Sequence, residues 1–232
     1  MHFRSPARLR ASAFTLIELL TVIAIIAILM GLLFPALSIV RDQANKVRAR
    51  TDLMGTVAAV KQYNTEYGKY PLTGANITTP ADVTFGDAAS GAAGTIVSNE
   101  KLYDVLRNYP NGNRPKAGDT PGDGNPRQIV FFEGKTGTAT SANPRSGFAT
   151  TANVGTGTIG AFYDPWGNQY AIMIDGDYDN SLKVPYTDFS GTGLNYGAVG
   201  WSVGKDGKLG TKGDNAFKST TGTASDDIIT WQ

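Results

Sequence analysis

The first apolar block of the chain covers residues 14–40 and carries one charged residue, Glu18. A helix needs roughly 20 apolar residues to cross the hydrocarbon core of a bilayer, and lipid cannot satisfy free backbone groups. The block is therefore predicted to span a membrane once, as a helix that is apolar all round. Arg4, Arg8 and Arg10 precede it. By the positive-inside rule, the N-terminus stays in the cytoplasm and the rest of the chain crosses the membrane.

Apolar residues keep recurring beyond the membrane block, mostly at steps of three or four, which is the period of a helix. The stripe consists of Val40, Ala44, Val47, Leu53, Met54, Val57, Val60, Tyr63 and Tyr67. One helix is therefore predicted from about residue 15 to about residue 67. A single Gly55 inside it costs only about 1 kcal/mol. Gly68 and Pro71, which follow the stripe, are typical signals for the end of a helix.

The remaining pattern predicts short elements between long loops. Residues 99–108 are predicted to form a helix that Asn99 caps, with Leu102, Val105 and Leu106 facing inward. The predicted strands are residues 128–132, 159–163, 169–174 and 196–203, with a turn at residues 164–168 joining the middle two. Residues 72–98 and 133–157, which are rich in Gly, Thr and Ala, and residues 109–127, which are rich in Pro, Gly, Asn and Asp, are predicted loops; the first has room for a short strand. The predicted fold class is α+β, in which a long, partly transmembrane N-terminal helix packs on a small antiparallel β-sheet with long loops.

Composition narrows the chemistry that the chain can perform. The net charge is +1, so overall charge indicates no nucleic-acid partner. The chain has no cysteine, and its only histidine is His2, within the basic N-terminal segment. Disulfides, Ser-His triads and histidine-bound zinc are therefore excluded from the part that follows the membrane block. No enzymatic activity is predicted, and a tethered enzyme that uses paired carboxylates is the catalytic alternative left open.

Two residues of the apolar block are unusual for a simple anchor. A carboxylate such as that of Glu18 is costly in hydrocarbon, so an intramembrane position marks it as functional by default. Pro35 removes a helix hydrogen bond and crowds the carbonyl of Gly31, four residues earlier. A kinked or locally loosened helix is expected there.

The string from Ala13 to Leu20, AFTLIELL, resembles the class III signal of type IV pilins and type II secretion pseudopilins. The resemblance implies that a prepilin peptidase cuts between Ala13 and Phe14 and that the new amine of Phe14 is methylated. Ala13 stands where most members have glycine. Glu18 matches the glutamate that the family keeps, and Pro35 matches its helix proline. The resemblance implies that the Glu18 carboxylate pairs with the Phe14 amine of a neighbouring subunit, which offsets its desolvation and sets the register of assembly.

Three further strings resemble the major pseudopilin of type II secretion, the general secretion pathway protein G type. They are YNTEYGKYP at residues 63–71, DPWGNQY at residues 164–170, and the ending from residue 201. In that family the C-terminal loop binds one Ca²⁺, and the resemblance assigns Asp206, Asp226 and Asp227 as ligands. Residues 209–225 are longer here than in typical members, which makes Asp214 a competing ligand. Carboxylates and backbone carbonyls are the oxygen ligands that Ca²⁺ takes, and its binding would stabilise the loop.

A second acidic string, DGDYDN at residues 175–180, places Asp175, Asp177 and Asp179 at alternate positions. This arrangement resembles the first half of an EF-hand loop. The string lacks the glycine at the sixth position, and Tyr186 stands where an EF-hand has its twelfth-position glutamate. The alternatives are a calcium-binding turn that is not an EF-hand, or the polar end of a strand.

The sequence therefore predicts four segments. They are a prepilin leader at residues 1–13, the transmembrane half of the helix at 14–40, its periplasmic half at 41–70 and a globular periplasmic domain at 71–232. The predicted function is that of a structural subunit of a type II secretion pseudopilus in the bacterial inner membrane. Its implied partners are further copies of itself in a helical filament, the prepilin peptidase, other pseudopilins, the inner-membrane assembly platform and membrane lipid. The alternatives are a type IV pilus subunit and a membrane-tethered periplasmic binding module that never polymerises.

Overall fold

The computed structural model describes residues 15–72, 81–87, 95–108, 124–140, 142–150, 157–189, 193–211, 213–218 and 224–231, together with residues 155, 191 and 222. The chain divides into two compact units, residues 1–44 and residues 45–232. The predicted leader at residues 1–13 lies outside the described residues, as do parts of the three predicted loops.

The helix α1 spans Leu16–Tyr67 without interruption, as the apolar period predicts. It ends at Gly68, which has φ 66° and donates its N–H to the carbonyl of Asn64 at 2.8 Å. Glycine adopts this left-handed conformation without the steric penalty that a Cβ brings, so it closes the helix at low cost. The predicted end of the helix is confirmed.

Residues 45–67 of α1 bury one stripe against the rest of the second unit. Its members include Ala49, Leu53, Thr56, Val57, Val60 and Tyr63. A Cβ on Gly200 of the sheet would lie 3.0 Å from Leu53 Cδ2, so this glycine lets helix and sheet approach closely. The Tyr170 hydroxyl donates to Asp52 at 3.0 Å. This bond pairs a half-buried carboxylate of the helix with a buried hydroxyl beneath it, as burial requires.

The elements that follow α1 are short. They are Val83–Phe85 (β1), Thr95–Val97 (β2), Glu100–Leu106 (α2), Gly147–Phe148 (β3), Phe162–Tyr163 (β4), Ala171–Ile174 (β5), a 3-10 turn at Thr187–Phe189, Ala198–Ser202 (β6) and Ile228–Ile229 (β7). Five strands form one sheet in the order β2-β1-β5-β6-β7, while β3 and β4 pair separately. The β1–β2 pair is parallel, and the other pairs are antiparallel. The α+β class with a long N-terminal helix is confirmed, and its sheet is mixed.

The central sheet is buried on both faces. Ile172, Ile174 and Ala198 face a core that includes the α1 stripe. Met173 and Trp201 face a second core, which also contains Leu182, Val184, Tyr186, Val199, Val203, Leu209 and Ile229. Side chains alternate across a strand, so one short strand supplies both cores. This explains why strands of two to five residues suffice for a stable sheet.

Two sequence predictions are wrong in detail. Residues 128–132 form no strand, because the N–H groups of Phe131 and Phe132 both bond to the carbonyl of Leu106 at the end of α2. Asn99 stands at the N-cap of α2, but its side chain makes no capping bond. Instead, Asn99 Nδ2 donates to the carbonyls of Phe162 and Tyr170, 2.9 Å from each. The tertiary partners of these residues outweigh their local preferences.

The predicted hairpin around residues 164–168 is present, but its two strands extend into different sheets. The N–H of Tyr170 donates to the carbonyl of Phe162 at 3.2 Å across the turn. Beyond it, β4 pairs with β3, whereas β5 pairs with β1 and β6. The strand predicted at residues 196–203 is confirmed as β6. The strands β1, β2, β3 and β7 are too short to give a periodic signal in the sequence.

Candidate functional site

The first turn of α1 places Thr15 and Glu18 in mutual contact. The backbone N–H and the hydroxyl of Thr15 both donate to Glu18 Oε2, at 2.8 Å and 2.6 Å. The N–H of Glu18 approaches Thr15 Oγ1 at 3.3 Å in return. This reciprocal pattern is a capping box, which satisfies otherwise free N–H groups at a helix start. The string T-x-x-E carries this signal, which the sequence interpretation missed. Ala13 and Phe14 lie outside the described residues.

The membrane block displays its apolar side chains. Large hydrophobic residues from Leu16 to Val40 are exposed along α1, among them Leu16 at 81 % and Leu32 at 74 %. By length and composition, α1 is the one helix among the described residues that could cross a membrane. Buried core helices and cleaved signals can pass the same test, but the exposed side chains here do not fit a buried core helix.

Pro35 lies inside α1, and the helix continues through it to Tyr67. The hydroxyl of Ser38 donates to the carbonyl of Pro35 at 2.8 Å, within the same turn. Gly31 has open space around the position that a Cβ would occupy. The local bend expected at Pro35 stays a prediction.

The C-terminal carboxylate cluster consists of Asp206, Asp226 and Asp227. One carboxylate oxygen of each residue lies within 4.8 Å of the other two. Asp226 Oδ2 accepts the N–H groups of Lys205 and Asp206, at 2.6 Å and 3.2 Å. Asp227 Oδ2 accepts the N–H of Gly210 at 2.7 Å and the hydroxyl of Tyr186 at 2.8 Å. The fold thus brings together the three aspartates that the resemblance assigns.

Asp214 does not join this cluster. Its carboxylate instead accepts the N–H of Ala216 at 3.0 Å within its own turn. The three aspartates that the resemblance assigns are therefore the ones whose side chains meet. Asp214, the competing ligand, bonds within its own turn instead.

A glycine-rich loop shapes the C-terminal cluster. Gly204 has φ 66°, and a Cβ there would lie 2.7 Å from Asp226 Oδ2. Gly210 has φ 73°, and a Cβ there would lie 2.5 Å from the backbone nitrogen of Ala216. Larger residues would be strained at both positions and would displace their neighbours. The glycines therefore permit the loop to close around Asp226 and Asp227.

The donor set of this cluster fits a hard cation such as Ca²⁺. Asp227 is 6 % exposed, and its Oδ1 is buried without a hydrogen-bond partner. Burial raises the pKa of Asp227 to about 7, although bonds from Gly210 and Tyr186 oppose the shift; Asp226 and Asp206 add to it. A cation would relieve both the buried charge and the free oxygen. Asp206, Asp226 and Asp227 would hold it.

A second cluster combines Asp175, Asp177 and Asp179 with Asp82. Burial raises the pKa of Asp82 to about 6, with Asp177, Asp175 and Asp179 adding to the shift and the N–H of Gly176 opposing it. The sequence interpretation found the three alternate aspartates but missed Asp82. No local pattern marks Asp82, because strand pairing between distant segments brings it to the cluster.

Asp164 is the first residue of the predicted turn at residues 164–168, and the sequence did not indicate its role there. It is 0 % exposed, and its Oδ1 accepts the N–H groups of Trp166, Gly167 and Asn168 at 2.7–2.9 Å. Burial raises the pKa of Asp164, against the lowering effect of these bonds and of the Ser202 hydroxyl at 2.7 Å.

The turn that Asp164 organises also supports the C-terminal cluster. Asn168 Nδ2 donates to the carbonyl of Gly204 at 2.8 Å. The N–H of Gly204 donates to Ser202 Oγ at 3.2 Å, and that hydroxyl bonds to Asp164. The position of the glycine-rich loop therefore depends on the turn at residues 164–168. Trp166, in the same turn, packs against the core that includes the α1 stripe.

The N-terminal features together define a class of protein. Residues 8–34 match the prokaryotic N-terminal methylation motif. The match includes the start of α1, the capping box and most of the exposed apolar residues. The motif covers the start of the long N-terminal helix of an α+β fold, and this arrangement is consistent with the pilin fold. Motif and apolar helix together fit a membrane-anchored subunit of the pilin type.

A curated relative agrees with this class. The type IV wide pilus major component PilA4 of Thermus thermophilus is 39 % identical over 88 residues, which cover 35 % of this chain and 67 % of the relative. No solved structure matches the chain. The chain belongs to the type IV pilin family. A structural subunit rather than an enzyme is what this kinship supports.

Proposed function

We propose that this protein is a structural subunit of a type II secretion pseudopilus, processed at Ala13–Phe14 and polymerised from the inner membrane. The methylation motif at residues 8–34, which leads directly into α1, carries the proposal of a processed and assembling subunit, and the C-terminal aspartate cluster favours the pseudopilus within that class. Such a motif supports removal of the leader and methylation of Phe14. The single-pass topology, with the N-terminus in the cytoplasm and the globular part in the periplasm, is part of the proposal.

Assembly would use the same apolar surface that anchors the subunit. In lipid, hydrocarbon contact gives helices little reason to associate, so packing and polar pairs must supply the preference. The exposed side chains from Leu16 to Val40 provide the packing surface. The Glu18 carboxylate provides the polar group, and the Phe14 amine of a second copy would pair with it. Filament formation then exchanges lipid contact for helix contact.

The C-terminal cluster supports assignment to the pseudopilus. Asp206, Asp226 and Asp227 meet in space, and a buried Asp227 oxygen lacks a partner. We propose that this cluster binds one Ca²⁺ that fixes the C-terminal loop. The ion would stabilise the loop in a chain that has no cysteine for a disulfide.

A type IV pilus subunit is the second candidate, and the Thermus relative favours it. That protein is described as the major component of a wide pilus. The two candidates share leader cleavage, methylation and assembly. They differ in the machinery that the filament serves, so deletion of the gene separates them: loss of protein secretion indicates a pseudopilus, and loss of surface fibres indicates a pilus. A tethered module that never polymerises remains the alternative from another class.

The mature protein is expected to begin at Phe14 and to carry one added methyl group. Prepilin peptidase removes the leader, and the freed amine is then modified. Mass spectrometry of the protein purified from its membrane checks both steps. A chain that still begins at Met1 contradicts processing and leaves a simple tethered domain.

Chelation of calcium is expected to lower the melting temperature of the full-length protein in detergent. An ion that binds only the folded state stabilises it by about 2.7 kcal/mol when its free concentration is about a hundredfold above Kd. The double variant Asp206→Asn/Asp226→Asn is expected to show a smaller shift. Asp214→Asn is the matched control and should keep the full shift, because its carboxylate lies outside the cluster. An equal shift in both variants contradicts the calcium site.

A further inference from the structure

Four carboxylates from two distant segments meet at one end of the central sheet. One oxygen each of Asp82, Asp175, Asp177 and Asp179 lies within 4.8 Å of the others. The cause is the register of two strands: Val83 of β1 pairs with Ile174 of β5 in antiparallel orientation. The residues just beyond that pair are Asp82 and Asp175. The backbone itself therefore sets the two acids opposite each other.

Two carboxylate oxygens of this group are buried and have no partner. Asp175 is 2 % exposed, and its Oδ1 accepts no hydrogen bond, while its Oδ2 accepts the N–H of Asn180 at 3.0 Å. Asp82 Oδ1 is also buried without a partner. A buried oxygen without a hydrogen bond is costly, and each such atom requires an explanation. Both residues belong to the group of four carboxylates described above.

Within the part of the chain that the structure describes, no lysine or arginine forms an ion pair with any of the four aspartates. Asp177 and Asp179 are exposed, so solvent and ions can reach the group from that side. The buried Asp175, the half-buried Asp82 and the exposed Asp177 and Asp179 together offer a set of hard oxygen donors. Like charges at this spacing repel unless a cation lies between them.

We infer that Asp82, Asp175, Asp177 and Asp179 form a second cation site, distinct from the C-terminal cluster, and that it binds Ca²⁺. Ca²⁺ takes six to eight oxygen ligands in flexible geometry, so acidic side chains from two loops together with water suit it. Mg²⁺ requires a stricter octahedral arrangement and keeps more of its water, so this site should bind it more weakly.

The site adjoins the exit of α1. Tyr178 lies between the two exposed aspartates, and its ring stacks on Tyr70 with centroids 5.3 Å apart. The backbone N–H of Tyr70 donates to the Tyr178 hydroxyl at 2.9 Å. A cation that orders residues 175–179 would therefore also hold the segment that follows α1. The two tyrosines also provide an optical probe of the site.

The test uses the full-length protein in detergent and titrates it with CaCl₂ by calorimetry, with MgCl₂ as the comparison. Wild type is compared with Asp177→Asn/Asp179→Asn. Asparagine keeps an oxygen that accepts the loop hydrogen bonds from Asp179 and Ser181. The background variant is Asp206→Asn/Asp226→Asn, which disables the C-terminal cluster, and Asp214→Asn is the control. Tyrosine-sensitised terbium emission serves as a second readout.

In the Asp206→Asn/Asp226→Asn background, one calcium equivalent is expected to remain, and Asp177→Asn/Asp179→Asn should weaken it more than about tenfold. When Asp177→Asn/Asp179→Asn is added to that background, the tyrosine-sensitised terbium emission should fall together with the calcium affinity. If the background binds no calcium while wild type binds one, the second site is refuted and the C-terminal one stands. If Asp177→Asn/Asp179→Asn leaves calcium affinity and stoichiometry unchanged, the inference is also overturned. Loss of binding in Asp177→Asn/Asp179→Asn alone supports the second site even if the C-terminal cluster binds nothing.

Discussion

Glu18→Gln is expected to abolish filament assembly while leaving membrane insertion and helix formation intact. Glutamine serves in a capping box as well as glutamate does, so the bonds from the Thr15 N–H and hydroxyl can persist. It removes the negative charge, which the proposed pair with the Phe14 amine of a second copy requires. Filaments released from spheroplasts and quantified by immunoblot should fall at least about tenfold, with unchanged protein in the membrane fraction.

The matched variant is Thr15→Val, which removes the hydroxyl of the capping box and keeps the charge. It is expected to assemble, because the role of Glu18 in the filament depends on its charge and not on the cap. If Glu18→Gln assembles normally and Thr15→Val does not, Glu18 acts by capping the helix of its own subunit. The proposed pair between subunits would then be wrong. Glu18→Val, which removes both functions, should fail under either view.

Asp164→Ala is expected to cause a large loss of stability in the globular unit. It leaves the N–H groups of Trp166, Gly167 and Asn168 without their acceptor and empties a buried position. Each orphaned donor costs about 1–3 kcal/mol, so a total of about 3–5 kcal/mol is expected after partial relaxation. The melting temperature should fall by about 10 °C for a unit of this size. Thermal unfolding in detergent, followed by circular dichroism, measures it.

The control for this prediction is Asp188→Ala. Asp188 is exposed and accepts one backbone N–H, from Lys218 at 2.7 Å, so its loss should cost about 1 kcal/mol or less. Asp164→Asn should be intermediate, because its oxygen can still serve the turn. A fall of similar size in Asp188→Ala and Asp164→Ala would show that the turn at residues 164–168 has no special role.

Asp164→Ala should also weaken calcium binding at the C-terminal cluster, because Asn168 of the same turn bonds to the carbonyl of Gly204 in the glycine-rich loop.

The N-terminal third of the chain could be read from the sequence because its signals are local. The apolar period of α1, the lone Glu18 and the glycine at position 68 each act within a few residues. The same holds for α2, where Leu102, Val105 and Leu106 are buried as predicted. The three aspartates of the C-terminal cluster were found through a resemblance of short strings, and the fold brings their side chains together.

The sheet and its polar residues depended on distant partners and could not be read in this way. A three-residue strand such as β1 has no period, and only its pairing with β5 sets Asp82 beside Asp175. Asn99 has the sequence pattern of a helix cap, but its buried side chain bonds to three backbone groups instead: the N–H and the carbonyl of Phe162 and the carbonyl of Tyr170. In both cases a contact between distant segments, and not a local sequence pattern, determines what the residue does.

The sequence alone thus determined the class of this protein: a pilin-type signal followed by one helix that is apolar first and amphipathic later. Hydrophobic period and composition decide such features before any fold exists, because they act along a single helix. The tertiary structure alone decided which acids share a site, which one is buried beneath a turn, and which oxygens lack partners. Those properties arise from strand register and burial, which bring together residues far apart in the chain.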